Sequence, residues 1–171
     1  MTGEIELVRR NAIVIGPAQQ RTFRIDISKN EFCHSKAEKE IDNYAVYVYT
    51  PAMIAVEKLR AICQQMPEYT HRATKVARAR DFYDISLLLE HGGVDFGSAE
   101  VAELIGPVFA AKEVDILLIK RIPEYCDFHQ QDWPSVQASV SGEIQAFEYY
   151  FETVLKETAK ITILAEKRAA T

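Results

Sequence analysis

The octet RARDFYDI, residues 78–85, sets Arg78, Arg80, Asp81 and Asp84 around Phe82 and Ile85, and Leu87, Leu88 and Leu89 follow. At about 100° per residue, Phe82, Ile85, Leu88 and Leu89 form an apolar arc, and Asp81 falls inside it. Asp84 lies at the edge of the arc and Arg80 points outward. A carboxylate inside an apolar arc needs a partner, because a lone buried charge costs several kcal/mol. The structural reading, and the commoner one, has Asp81 in a first helical turn, taking backbone N–H bonds and pairing with Arg78. The chemical reading brings in Lys58, at the rim of the preceding apolar face between Ile54 and Ile62. Lysines there usually snorkel to solvent, but a lysine held by a carboxylate beside a cleft is also a way to hold phosphate. Asp26, in RIDIS, completes the set: a strand carboxylate is a hard oxygen ligand of the kind Mg²⁺ takes in phosphoryl and nucleotidyl transfer.

The elements that must position these residues change character along the chain. In residues 1–50, EIELVRRNAIVIG, RTFRIDIS and YAVYVYT carry the alternation and the β-branched and aromatic residues of strands. KNEFCHSKAEKEIDN reads as a polar connection between them. From residue 51 the period becomes helical. Thr50 caps and Pro51 starts a helix to Met66, burying Ala52, Ala55, Val56, Leu59, Ile62, Cys63 and Met66. A basic loop with His71, Arg72 and Lys75 leads to the octet helix, which Gly92 or Gly93 ends in a left-handed cap. Ser98 opens a third helix, which Pro107 would kink, and EVDILLIKRI forms a short fourth. Residues 121–137 read as irregular, with Trp133 and Pro134 as an anchor. A long amphipathic helix after Gly142 carries Phe147, Tyr150, Phe151, Val154 and Leu155. Strands first and helices after make this an α+β chain: a strand-rich part, residues 1–50, and a helical part, residues 51–171, packed as one unit.

Composition narrows the setting. The 171 residues are 48% hydrophobic with a net charge of −5, which suits one globular domain and argues against a protein that coats nucleic acid by bulk charge. There is no stretch of apolar residues long enough to span a bilayer and no signal-peptide core, and Cys33, Cys63 and Cys126 form no disulfide framework, so a cytoplasmic location is expected. A zinc site of Cys33, His34, Cys126 and His129 can be drawn, but its spacings match no strong template.

At this point the residues resemble a family. YTPAMIAVEKLRAICQQMPEY followed by RARDFYDISLLLE is similar to the C-terminal half of the AbiEii/AbiGii-type nucleotidyltransferases, the toxins of type IV toxin–antitoxin and abortive-infection systems. FRIDIS resembles their strand for the third acidic residue, and HQQDWPSV extends the likeness weakly. The resemblance implies a mostly antiparallel, nucleotidyltransferase-like sheet followed by a helical bundle. It also implies transfer of a nucleotidyl group from a nucleoside triphosphate (NTP) to an acceptor hydroxyl, with tRNA as an acceptor in relatives, and an antitoxin partner. By matching positions, Asp26 would be a metal ligand, Lys58 and Arg80 would contact nucleotide phosphates, and Asp81 would face the cleft with Asp84 supporting it.

The sequence departs from that pattern in having no Asp-x-Asp pair after a Gly-Ser turn. The expectation is therefore a nucleotidyltransferase whose beginning is missing, inactive alone, with Mg²⁺ and NTP bound only when that part is supplied. The alternative is a non-catalytic binding or assembly module that keeps the helical half. An unpaired sheet edge would offer a route to self-association.

Overall fold

This computed structural model of the chain describes residues 2–14, 25 and 27–169. Among them are seven α-helices and one two-stranded antiparallel sheet, an α+β chain that is mostly helical.

The opening differs from the strand expected there. Thr2–Asn11 is a helix, α1. Ile5 and Leu7 alternate, but Glu4, Glu6, Leu7, Arg9 and Arg10 are all good helix formers. Of the second expected strand, Ile25 and Ile27 are described, both exposed and outside any strand; Asp26 lies outside the described residues.

The third expected strand forms, as Tyr44–Val48 (β2), and its partner is Ala37–Ile41 (β1), which lies in the segment read as a polar connection. The turn accounts for the pairing. Asp42 and Asn43 both adopt positive φ, 51° and 66°, as a two-residue type I′ hairpin requires, and Asx side chains tolerate that region. The register sets Ile41 opposite Tyr44 and Glu38 opposite Tyr47.

The helical part follows its expected punctuation more closely. Thr50 Oγ1 accepts the Met53 N–H at 3.2 Å at the start of Pro51–Cys63 (α2). The helix ends three residues before Met66, which is still fully buried. Ala79–His91 (α3) ends at Gly92, where a Cβ would lie 2.7 Å from the Leu88 carbonyl oxygen, and Gly93 then takes the left-handed φ of 66°. Ser98 caps Ala99–Ala110 (α4), accepting the Val101 N–H at 3.3 Å.

The fourth run is a 3₁₀ helix, Ile116–Tyr125, capped by Asp115. Residues 121–137, expected to be irregular, carry its end and then Cys126–Gln130 (α5) and Trp133–Ser139 (α6). Pro134 in the first turn of α6 is a starter, not a breaker. Phe147–Ala169 (α7) closes the chain.

One core unites these helices. Met53, Val56, Leu59, Ile62, Phe82, Ile85, Phe109, Ile122, Phe147 and Val154 belong to a single buried cluster. α2 packs on α3 and α4, and α3 packs on α7. Phe82 stands at the crossing, its ring 5.5 Å from Phe147 and 5.1 Å from Phe151.

Candidate functional site

α3 presents its buried stripe through Ala79, Phe82, Ile85 and Ser86, with Asp81 buried beside them and Leu88 and Leu89 only partly covered. The stripe is thus rotated toward the N-terminal turn, which brings Asp81 against α2. There Lys58 Nζ donates to Asp81 Oδ1 at 2.9 Å and to Asp84 Oδ2 at 2.8 Å. Each carboxylate holds a second cation: Arg78 Nη1 lies 3.5 Å from Asp81 Oδ2, and Arg80 Nε donates to Asp84 Oδ1 at 2.8 Å. Arg80 also donates to Ser139 Oγ on α6 at 3.0 Å and lies over the Tyr83 ring. The crowding of opposed charge in the octet is a chain of five ionic groups, in which three cations alternate with two anions.

Burial works against the Lys58 charge, but the hydrogen bonds and negative charge of Asp84 and Asp81 outweigh it, and the pKa of this ammonium is raised above the ordinary lysine value. Lys58 and Asp84 are also at the lip of an open groove of about 440 Å³, with Ile54, Leu87, Leu88 and His91 on its walls. The network therefore has one buried member, Asp81, while Lys58, Asp84 and the two arginines at its ends meet solvent.

Lys58, Asp81, Asp84 and Arg80 are thus brought together. Asp26 lies outside the described residues, so its place relative to them is not part of this geometry. The donor set present does not suit Mg²⁺. A lysine ammonium stands between the two carboxylates, and no group of three metal-ligating side chains occurs among the described residues. The drawn zinc site fails by the same test: His129 is fully buried, and its Nδ1 accepts the Arg78 backbone N–H at 3.1 Å. Burial, with the positive charge of Arg78, pushes its pKa down to about 4. His129 and Ser139 are contacts of the network that the sequence reading did not assign to it. The faint likeness of HQQDWPSV to the family covers His129 but stops short of Ser139.

Residues 3–157 match the family model for the nucleotidyl transferase AbiEii toxin of type IV toxin–antitoxin systems. The chain belongs to the AbiEii family. No curated protein and no solved structure matches it. The match runs through the hairpin, the network and the first half of α7, and so spans the charged octet and the groove. Membership in a toxin–antitoxin family implies an antitoxin partner. Among the described residues, no helix of this AbiEii-family chain is long and apolar enough to cross a membrane.

Proposed function

We propose that the groove beside Lys58 is the nucleotide-facing wall of a nucleotidyltransferase site, and that the reaction carries the nucleotidyl group of an NTP to an acceptor hydroxyl. A bond forms between the acceptor oxygen and the α-phosphorus as the bond to the departing pyrophosphate breaks and the hydroxyl proton passes to solvent; tRNA is the acceptor to test first. Lys58 and Arg80 contact phosphate, Asp81 holds Lys58 charged and aimed, and Asp84 ties the lysine to Arg80. Asp26 is the residue proposed to hold Mg²⁺, which would supply positive charge against the phosphates.

The observation that supports this reading is the double engagement of Lys58 at the lip of an open groove, in a chain of the AbiEii family. A charged hydrogen bond to phosphate is worth about 1.5–3 kcal/mol, so Lys58→Ala is expected to weaken NTP binding by roughly tenfold to a hundredfold. Isothermal calorimetry with Mg²⁺ and each NTP reads this directly, on the intact chain and on the chain supplied with a Gly-Ser/Asp-x-Asp segment upstream. Lys36→Ala, on the exposed approach to the hairpin, serves as the neutral control. NTP binding that survives Lys58→Ala unchanged would sink the assignment.

A non-catalytic binding or assembly module is the second reading. It is favoured by the closure of both network carboxylates by cations, which leaves neither free to hold a metal. On that reading Asp81→Asn lowers the melting temperature and NTP gives no heat with any variant.

A further inference from the structure

α3 begins without a side-chain cap of its own. Its N-cap residue, Arg78, makes no capping hydrogen bond, and the acceptor at that helix end comes from 51 residues downstream: His129 Nδ1 takes the Arg78 backbone N–H at 3.1 Å. A backbone N–H only donates, so Nδ1 is bare and the ring is the neutral tautomer with its hydrogen on Nε2. The ring has no freedom to leave. It is fully buried and packs 5.1 Å from the centroid of Phe82 and 5.1 Å from that of Phe128. Its low pKa, about 4, keeps it an acceptor at neutral pH.

From there a line of hydrogen bonds leads to the site. Arg78 donates to His129; the Asp81 N–H donates to the Arg78 carbonyl at 2.9 Å; Asp81 Oδ1 accepts from Lys58 Nζ at 2.9 Å. The Arg78 side chain closes a loop by meeting Asp81 Oδ2. Arg78 thus meets Asp81 twice, by a backbone hydrogen bond through its carbonyl and by a 3.5 Å ion pair through its guanidinium. The geometry points to His129 as a positioning residue: as a neutral acceptor from α5 it fixes the first turn of α3 and so sets where Asp81 holds the Lys58 ammonium. This rests on the nucleotide-site reading for its functional meaning, although the mechanical link does not.

Two substitutions separate positioning from packing. His129→Asn leaves an acceptor oxygen near the place of Nδ1 but removes much of the ring volume. His129→Gln keeps more volume but carries its amide toward the place of Nε2 and leaves a methylene where the acceptor was. A packing role ranks the variants by melting temperature, with Asn the worse. Positioning ranks them the other way.

The expected result is NTP affinity like that of the wild type for Asn and a loss of about threefold to tenfold for Gln, the scale of one hydrogen bond. Titration of Lys58 by NMR at its Cε carbon, with no nucleotide present, gives a second readout. Gln should return the lysine toward its ordinary pKa and Asn should leave it raised. Separation of the variants by that titration when wild-type protein binds no NTP would remove the nucleotide reading and leave the positioning role standing. Identical Lys58 titrations in folded Asn and Gln variants would overturn it. If the Gln variant does not fold, hydrogen exchange in the wild type decides: a protected Arg78 amide supports the link, and exchange at the rate of an exposed loop overturns it.

Discussion

The hairpin, residues 37–48, and the helical part that follows, residues 51–161, place their apolar side chains in opposite ways. In the helical part Met53, Leu59, Phe82 and Phe147 have no exposed surface, whereas Tyr44 and Tyr47 of β2 are 74% and 62% exposed. Backbone pairing and a two-residue turn are enough to shape the hairpin, and little of its surface is buried. The segment just before it is tied down by polar contacts instead. Lys112 Nζ bonds Ser28 Oγ at 3.0 Å and Glu31 Oε1 at 2.9 Å, while Phe32 and Tyr49 pack at the margin of the core. The helices owe their positions to shared burial, and the charged network is built on them. A site that needs three side chains held within hydrogen-bond reach is better carried by packed helices than by a two-stranded ribbon, which is only marginally stable alone.

The sharpest way to break this contrast is Phe82→Ala. Phe82 joins the packing of α3, α5 and α7, and truncating it should cost about 3–5 kcal/mol in a denaturant titration. A loss below about 1 kcal/mol, the usual range of a peripheral site, would mean that the helices do not share one core.

Next is acid. His129 has a folded pKa of about 4 against an ordinary value of about 6.5. The unfolded chain therefore takes up a proton that the folded chain refuses as pH falls through that window. Stability should drop by about 3 kcal/mol between those values and show no further contribution from His129 below pH 4. His129→Asn should flatten this part of the profile. Lys58 behaves in the other sense: its raised pKa is a stabilisation present at neutral pH and lost only above the ordinary lysine range.

The smallest effect belongs to the hairpin. Tyr47→Ala removes a ring that faces solvent and carries Lys36 at 4.2 Å. It should change global stability by no more than about 0.5 kcal/mol. A larger loss would show that the hairpin is coupled to the core.

The same contrast explains what the sequence made legible. Thr50, Pro51, Ser98 and the glycines after α3 act within one turn of themselves, so their signals could be read locally, and the apolar face of α2 came out as expected. The meeting of Lys58 with Asp81 was drawn as a possibility of geometry and is present, because both residues flank buried stripes that must face each other. α1 and β1 were misread for want of a core: with little buried on either, hydrophobic alternation was a poor guide, and helix propensity in one case and the Asp42-Asn43 turn in the other decided the outcome. The role of His129 could not be read from spacing, since its partner is a backbone N–H, a group every residue but proline carries.

Lys58 has a consequence for any anion that reaches it. Two of its three ammonium hydrogens are given to Asp81 and Asp84, so an incoming phosphate meets one remaining donor with two carboxylates close by. Its bond to Lys58 is set against repulsion from those carboxylates. Such a setting disfavours weak, singly charged anions and rewards a ligand whose other oxygens reach a second cation.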